Sequence, residues 1–124
     1  MTAAHLDRTM MALADPTRRA ILHRLSKGEA RVTEIASPFD MSLNAVSKHI
    51  LILERADLIR RRIEGRDHYL SVNTKPLNEA GEWIEKYRRM WEQRLDRLDD
   101  YLKELQAKEK EHQQPKEKRH GRKE

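Results

Sequence analysis

Three groups of residues in this chain have the types and spacing to do chemistry. The first is the run Ser42-Leu43-Asn44-Ala45-Val46-Ser47-Lys48-His49. An Asn can pair bidentately with adenine, a Ser reaches a base edge or a phosphate, and a Lys reaches guanine or phosphate. The second is Arg60-Arg61-Arg62-Ile63-Glu64-Gly65-Arg66, with four Arg against one Glu, a local charge of +3. The planar guanidinium fork matches phosphate geometry and suits insertion into a narrow minor groove. The third is a set of six histidines in a chain with no cysteine. His5, His23, His49, His68, His112 and His120 offer no pair at ligand spacing on one helix face, and no thiolate is available. No metal and no cofactor are therefore expected. Nor is an enzyme: the chain lacks a Gly-rich phosphate loop, a nucleophile elbow and carboxylates paired in an apolar setting.

The first two groups need elements to hold them. Ser42 is a helix-capping residue type, and Val46, His49, Ile50 and Leu53 fall on one side of the helix it would open. Asn44, Ser47 and Lys48 then lie on other faces. A short helix around Thr33–Ala36 precedes it, separated by the break at Ser37-Pro38, so the two read as a helix-turn-helix. The second helix of such a motif is the reader, with its N-terminal end in the major groove. Upstream, Leu6, Met10 and Leu13 form a helical stripe from Ala3 to Leu13. Asp15 and Pro16 then have the types for an N-cap and a first helical residue, and Gly28 closes that helix. Downstream, Leu58 to Ile63 and His68 to Val72 flank Glu64-Gly65-Arg66-Asp67, which reads as a β-hairpin. Within its first strand, alternation puts Arg60 and Arg62 on one face and Arg61 on the other. A helical pattern then runs from Pro76 to about Gln106. The expected fold is mainly α (α+β): a winged helix-turn-helix with a two-stranded β wing and a long C-terminal dimerisation helix.

That last helix carries Ile84, Tyr87, Trp91, Leu98, Leu102 and Leu105 at spacings of 3, 4, 7, 4 and 3, with Leu95 filling the seven-residue gap, a near-heptad seam. The seam has more apolar surface than a thin core covers, so it reads as a dimer interface.

At 124 residues, the chain fits one domain. Charged residues make up 38% and hydrophobic ones 37%, so the core must be small. Net charge is +5, but residues 108–124 hold seven basic against four acidic residues, an excess of three, which leaves +2 for residues 1–107. The expected division is a DNA-binding and dimerisation domain over 1–107 and a basic, disordered tail over 108–124. The tail would be solubilising, with added nonspecific contact to nucleic acid as the alternative. The longest apolar run, Ile50 to Leu53, is far below the ~20 residues of a membrane span. His5, Asp7 and Arg8 interrupt the N-terminal apolar residues, which is unlike a signal peptide. A soluble intracellular protein is expected, with no membrane partner.

These residues together resemble the ArsR/SmtB-type winged-helix repressors, in the branch lacking the metal-sensing cysteines. The resemblance covers about residues 5–105. It rests on Leu13-Ala14-Asp15-Pro16-Thr17-Arg18-Arg19 with Ile21-Leu22, on Ser42 through Leu53, on Glu54-Arg55-Ala56-Asp57-Leu58-Ile59, and on Glu64-Gly65-Arg66. The family usually has Ala-Gly where this chain has Ala56-Asp57; Asp tolerates the left-handed backbone such a turn requires. The resemblance implies a homodimeric bacterial transcription repressor that releases its operator on a signal. It implies a cytoplasmic protein, nucleoid-associated when bound to double-stranded DNA. It also implies dimer contacts from the first and last helices, here Leu6 and Met10 together with Ile84, Tyr87, Trp91, Leu95, Leu98 and Leu102. Members that sense metals use Cys on the helix before the reader, or Asp and His on the last helix. The matching stretch Arg31 to Ala36 has no Cys, and residues 76–106 have no His. The effector is then a non-metal signal of unknown identity.

The expected DNA-contacting set is Ser42, Asn44, Ser47, Lys48 and His49 from the reader, and Arg60, Arg61, Arg62 and Arg66 from the wing. Asn44, Ser47 and Lys48 would meet base edges or adjacent phosphates. Ser42 and His49 would meet the backbone, although His49 also sits where it could pack inward. The alternative reading is a non-sensing DNA-architectural or partner-docking protein that uses the C-terminal helix.

Overall fold

The computed structural model of the chain describes residues 2–121, with side chains through residue 112. It divides into two compact units between Trp83 and Ile84.

The first unit begins with α1 (Ala3–Leu13) and α2 (Pro16–Leu25). Thr2 caps α1 by accepting from the His5 N–H at 3.1 Å. Asp15 caps α2 by accepting from the Arg18 N–H at 3.0 Å, with Pro16 as first helical residue, as its residue type predicts. The last carbonyls of a helix lack i+4 partners, and here the Ala14 N–H reaches only the Met11 carbonyl, at 3.2 Å. Arg18 and Arg19 supply them: Arg18 donates to the Ala12 and Met11 carbonyls at 2.8 and 2.9 Å, and Arg19 to the Leu13 carbonyl at 2.9 Å. The Asp-Pro-Thr-Arg-Arg run is thus a corner that starts one helix and ends another.

A short strand β1 (Ala30–Arg31) leads into α3 (Val32–Ala36), and α4 (Leu43–Arg55) follows. Strands β2 (Ile59–Glu64) and β3 (Asp67–Val72) form the hairpin, and α5 runs Lys75–Gly121. The sheet is antiparallel with order β1-β3-β2. The expected two-stranded wing is the hairpin β2-β3, and a third short strand joins its β3 edge, Ala30 pairing with Leu70 and Arg31 with Tyr69. Two residues are too few to show an alternating pattern in sequence.

Ile21, Ile35, Val46, Ile50, Leu53, Leu58 and Leu70 are fully buried and form the core of this unit. The junction from α4 to the wing is a Schellman closure. The Asp57 N–H donates to the Glu54 carbonyl at 2.9 Å and the Leu58 N–H to the Leu53 carbonyl at 3.0 Å. Asp57 occupies the left-handed position with φ 58°. That conformation costs a non-glycine residue roughly 1 kcal/mol or more. The side chain of Asn73 holds it there, donating to the Asp57 carbonyl at 2.8 Å. The hairpin tip has Gly65 at φ 62°, a conformation glycine adopts freely.

The second unit is the rest of α5. Helix continues without a break past residue 107, the expected boundary of the tail, because Lys, Glu, Gln and Ala are strong helix formers. The expected tail lies outside the described residues over 122–124, and its side chains do from residue 113. Ile84, Tyr87, Trp91, Leu95, Leu98, Leu102 and Leu105 are all exposed along one side. The polar side is laced with ion pairs at helical spacing: Arg88 with Glu85 at 2.6 Å and with Glu92, and Lys103 with Asp99 at 3.0 Å. No helix of the described residues is long and apolar enough to cross a membrane.

Candidate nucleic-acid interface

Helix α4 is built so that one face locks it and the other is free. Ser42 accepts from the Ala45 N–H at 3.1 Å, which fixes the start of the helix. Val46, Ile50 and Leu53 are fully buried, one turn apart, and anchor it to the core. Asn44, Ser47 and Lys48 are exposed, as their spacing requires once the apolar face is placed. Helix α3 contributes fully buried Ile35 beneath, and the turn between the helices is exposed at Ser37 and Pro38.

His49 is different. It is half-buried and turned toward the α1–α2 corner. Arg18 lies with Nη1 at 3.2 Å from the His49 Nδ1, and Asp15 Oδ2 lies at 3.7 Å from the same nitrogen. Asp15 is held below the usual carboxylate range, chiefly by the hydrogen bond from the Arg18 N–H and further by the Arg18 charge.

The four wing arginines also part company. The register pairs Arg61 with Leu70 and Arg60 and Arg62 with Ser71 and Tyr69. Arg61 thus shares the face of buried Ile59 and Leu70. It forks onto Glu54 of α4 at 2.6 and 3.2 Å and reaches His68 Nδ1 at 2.9 Å. Arg62, on the other face, bridges Glu29 at 2.7 Å and Glu64 at 2.6 Å, and stacks over the Tyr69 ring at 4.4 Å. The Glu29 carboxyl is lowered by that hydrogen bond. Arg60 sits at the root of the wing, in a cleft of about 530 Å³ lined also by Arg8, Asp57, Asn73 and Lys75. Arg66 lies just past the tip, beside Arg31, Thr33 and His68 in a smaller cleft. Neither Arg60 nor Arg66 makes an ion pair among the described residues, whereas Arg61 and Arg62 are both held by carboxylates. Sequence reasoning set Arg61 on the face opposite Arg60 and Arg62, as the register has it, but kept all four in the DNA-contacting set. It missed Glu54 and Glu29, which lie 7 and 33 residues away from the arginines they hold.

Of the residues expected at a dimer interface, Leu6 and Met10 of α1 are half-buried. Trp91, Leu95 and Leu98 are 59%, 58% and 53% exposed in the single chain. Among the described residues, no group of three or more His, Asp or Glu is placed to hold a metal ion.

Comparison with known proteins gives consistent results. A helix-turn-helix domain family matches residues 13–62. The chain is 34% identical over 79 residues to the transcriptional repressor SdpR of Bacillus subtilis, across 64% of this chain and 88% of that one. Among solved structures, an ArsR family transcriptional regulator is 40% identical with a TM-score of 0.71, covering 74% of this chain and 95% of that one. A homodimeric winged helix-turn-helix DNA-binding domain from Mycobacterium bovis, described as a possible ArsR-family regulator, is 25% identical with a TM-score of 0.54. It covers 74% of this chain and 82% of that one.

Proposed function

We propose a specific function from one premise: the chain belongs to the ArsR family of winged helix-turn-helix transcriptional regulators. On this reading it is a homodimeric repressor that occludes a promoter at a two-fold-symmetric operator and is relieved by a non-metal signal. The observation that carries DNA reading is the division of α4 into a fully buried apolar face and an exposed face bearing Asn44, Ser47 and Lys48. A helix locked from behind and polar in front enters a major groove without rearranging. Asn44 is the candidate for adenine, Lys48 for guanine or phosphate, and Ser47 for either. Ser42 leaves the first backbone N–H groups of α4 facing the phosphate backbone.

In the wing, Arg66 is the leading phosphate contact because no carboxylate engages it among the described residues. Arg61 and Arg62 are pre-positioned by Glu54, Glu29 and Glu64, and contact phosphate only by exchanging those partners. Arg60 is furthest from the tip and joins the set through the root of the wing.

Homodimerisation rests on the α5 stripe. An exposed apolar row at near-heptad spacing is the surface a second copy covers. The Mycobacterium bovis domain with this architecture is homodimeric. A non-metal signal fits a chain with no Cys and with no His over residues 76–106.

Selection from a random duplex library, followed by footprinting and sedimentation, tests the reading. We expect a bounded, two-fold-symmetric site whose half-sites are separated by about one helical turn or a multiple of it. The protein should sediment as a dimer. Coating of DNA without a boundary would instead establish an architectural protein. Loss of DNA binding with retained capture of another protein by α5 would establish a docking role.

A further inference from the structure

Arg18 ties three elements with one guanidinium. Its Nε and Nη2 cap the α1 carbonyls of Ala12 and Met11 at 2.8 and 2.9 Å. Its own backbone N–H is bound by Asp15, the cap of α2. Its Nη1 reaches His49 Nδ1 on α4 at 3.2 Å. Guanidinium has donors only, so this last contact requires Nδ1 of His49 to be an acceptor, and the neutral ring must carry its proton on Nε2.

Protonation of His49 inverts the contact. Nδ1 becomes a donor 3.2 Å from another donor, and two positive charges face each other. The same nitrogen lies 3.7 Å from Asp15 Oδ2, which is the available acceptor. Among the described residues, the charged groups in contact with the ring are Arg18 and Asp15, from α2 and its cap, and Arg18 in turn holds the last carbonyls of α1. On α4 the residues one turn away are Ala45, Val46, Ile52 and Leu53, none titratable, with Lys48 next in the chain.

We infer that Arg18 and His49 are positioning residues for the reader helix: Arg18 fixes α4 against the end of α1 while the His49 ring is neutral, and proton uptake exchanges Arg18 for Asp15. Imidazole is the side chain whose unperturbed charge change lies between about pH 5 and 8, which makes pH the variable to test. The inference rests on the DNA-reading function above. It also separates two roles for His49. A backbone contact would strengthen on protonation, for every DNA sequence alike. A positioning role loses sequence preference instead, because α4 is no longer held at the pitch that aims Asn44 and Lys48.

The test is the affinity of the full chain for the selected duplex and for a scrambled one, at constant salt, at about pH 8 and about pH 5.5. For the wild type we expect the ratio of the two affinities to fall about tenfold on acidification. His49→Asn keeps an acceptor at the Nδ1 position but takes up no proton, so its ratio should stay level. His68→Asn removes the second Arg–His contact, at Arg61, and should follow the wild type. Superimposed profiles for wild type and His49→Asn, or a wild-type affinity that rises equally on both duplexes, would overturn the inference. A wild type with no preference at pH 8 would overturn the DNA-reading function itself. In that case, or if His49→Asn does not fold, ¹⁵N spectra of the wild-type imidazoles decide the contact. An unprotonated Nδ1 in the neutral His49 ring supports it, and a protonated one refutes it.

Discussion

In α4 the apolar residues Val46, Ile50 and Leu53 are fully covered by the chain's own elements, whereas in α5 Trp91, Leu95 and Leu98 remain more than half exposed. Both helices are amphipathic, and both put apolar residues one turn apart. The difference is what surrounds them. Helix α4 is ringed by α1, α2, α3 and β2 within a few tens of residues of chain. The apolar residues of α5 from Ile84 onward belong to a unit made of that helix alone. An apolar stripe therefore marks where burial must occur, and topology decides whether the same molecule supplies it. Helix α4 has its support built in. The terminal helix has a surface waiting for a second one.

The largest expected effect breaks the first half of that contrast. Ile50→Ala removes a fully buried side chain from the face that locks α4. It should destabilise the fold by about 2–5 kcal/mol. Urea denaturation should show the same loss at every protein concentration, because the support of α4 is intramolecular. A loss that disappears as protein concentration rises would mean that the first unit also depends on its partner.

Trp91→Ala tests the second half. It should weaken self-association by about 2 kcal/mol, on the order of 30-fold, as expected for an aromatic anchor at the centre of an interface. Sedimentation across a dilution series measures this, and an unaltered dimer would place Trp91 outside the interface. The variant should also leave the urea midpoint at high protein concentration closer to wild type than Ile50→Ala does.

Asn44→Ala lies on the exposed face of α4 and should leave folding and association alone. It should cost roughly 1–3 kcal/mol on the selected duplex and little on a scrambled one. Equal weakening on both would remove Asn44 from the reading set and make it an ordinary solvent-facing residue.

The sequence exposed the features that local chemistry determines. Asp15 and Pro16 marked the start of α2, Ser42 the start of α4, and Gly65 the tip of the wing, because caps and turns are chosen by residues within three or four positions. The left-handed turn at Asp57 came from the family resemblance, which usually has Gly at that position, and not from the local pattern. What stayed hidden depends on long-range partners. The strand Ala30–Arg31 exists only because β3 offers it an edge. The hold on Arg62 comes from Glu29, and the hold on His49 comes from Arg18, 31 residues upstream. A count of arginines in the wing therefore overstated how many stand free. The residues expected to read DNA fell on the exposed face of α4 since the apolar period alone fixes that face, while the inward turn of His49 needed a partner no local pattern reveals.

The smallest effect concerns how α5 is supported before any partner covers it. With its apolar row exposed, its local stabilisation comes from ion pairs along the polar side. Glu85 is the clearest case: its carboxyl is held down to about 2, first by the hydrogen bond from Arg88, with Arg88 charge and Arg89 adding to it. A carboxyl lowered in the folded state contributes stability that is present above its ordinary value of about 4.3 and fades as pH falls toward the folded value. Both partners are exposed, so salt screens the contribution. Far-UV circular dichroism of wild type and Glu85→Gln at low ionic strength isolates it. The wild type should hold slightly more helix above about pH 4.5, and the two curves should converge as pH approaches about 2. The difference should shrink in about 1 M salt, where the screening length is near 3 Å. Curves that stay parallel through this range would mean that the Glu85 pair adds nothing to α5. The helix would then depend on its apolar row, and so on its partner, even more completely than the contrast with α4 already implies.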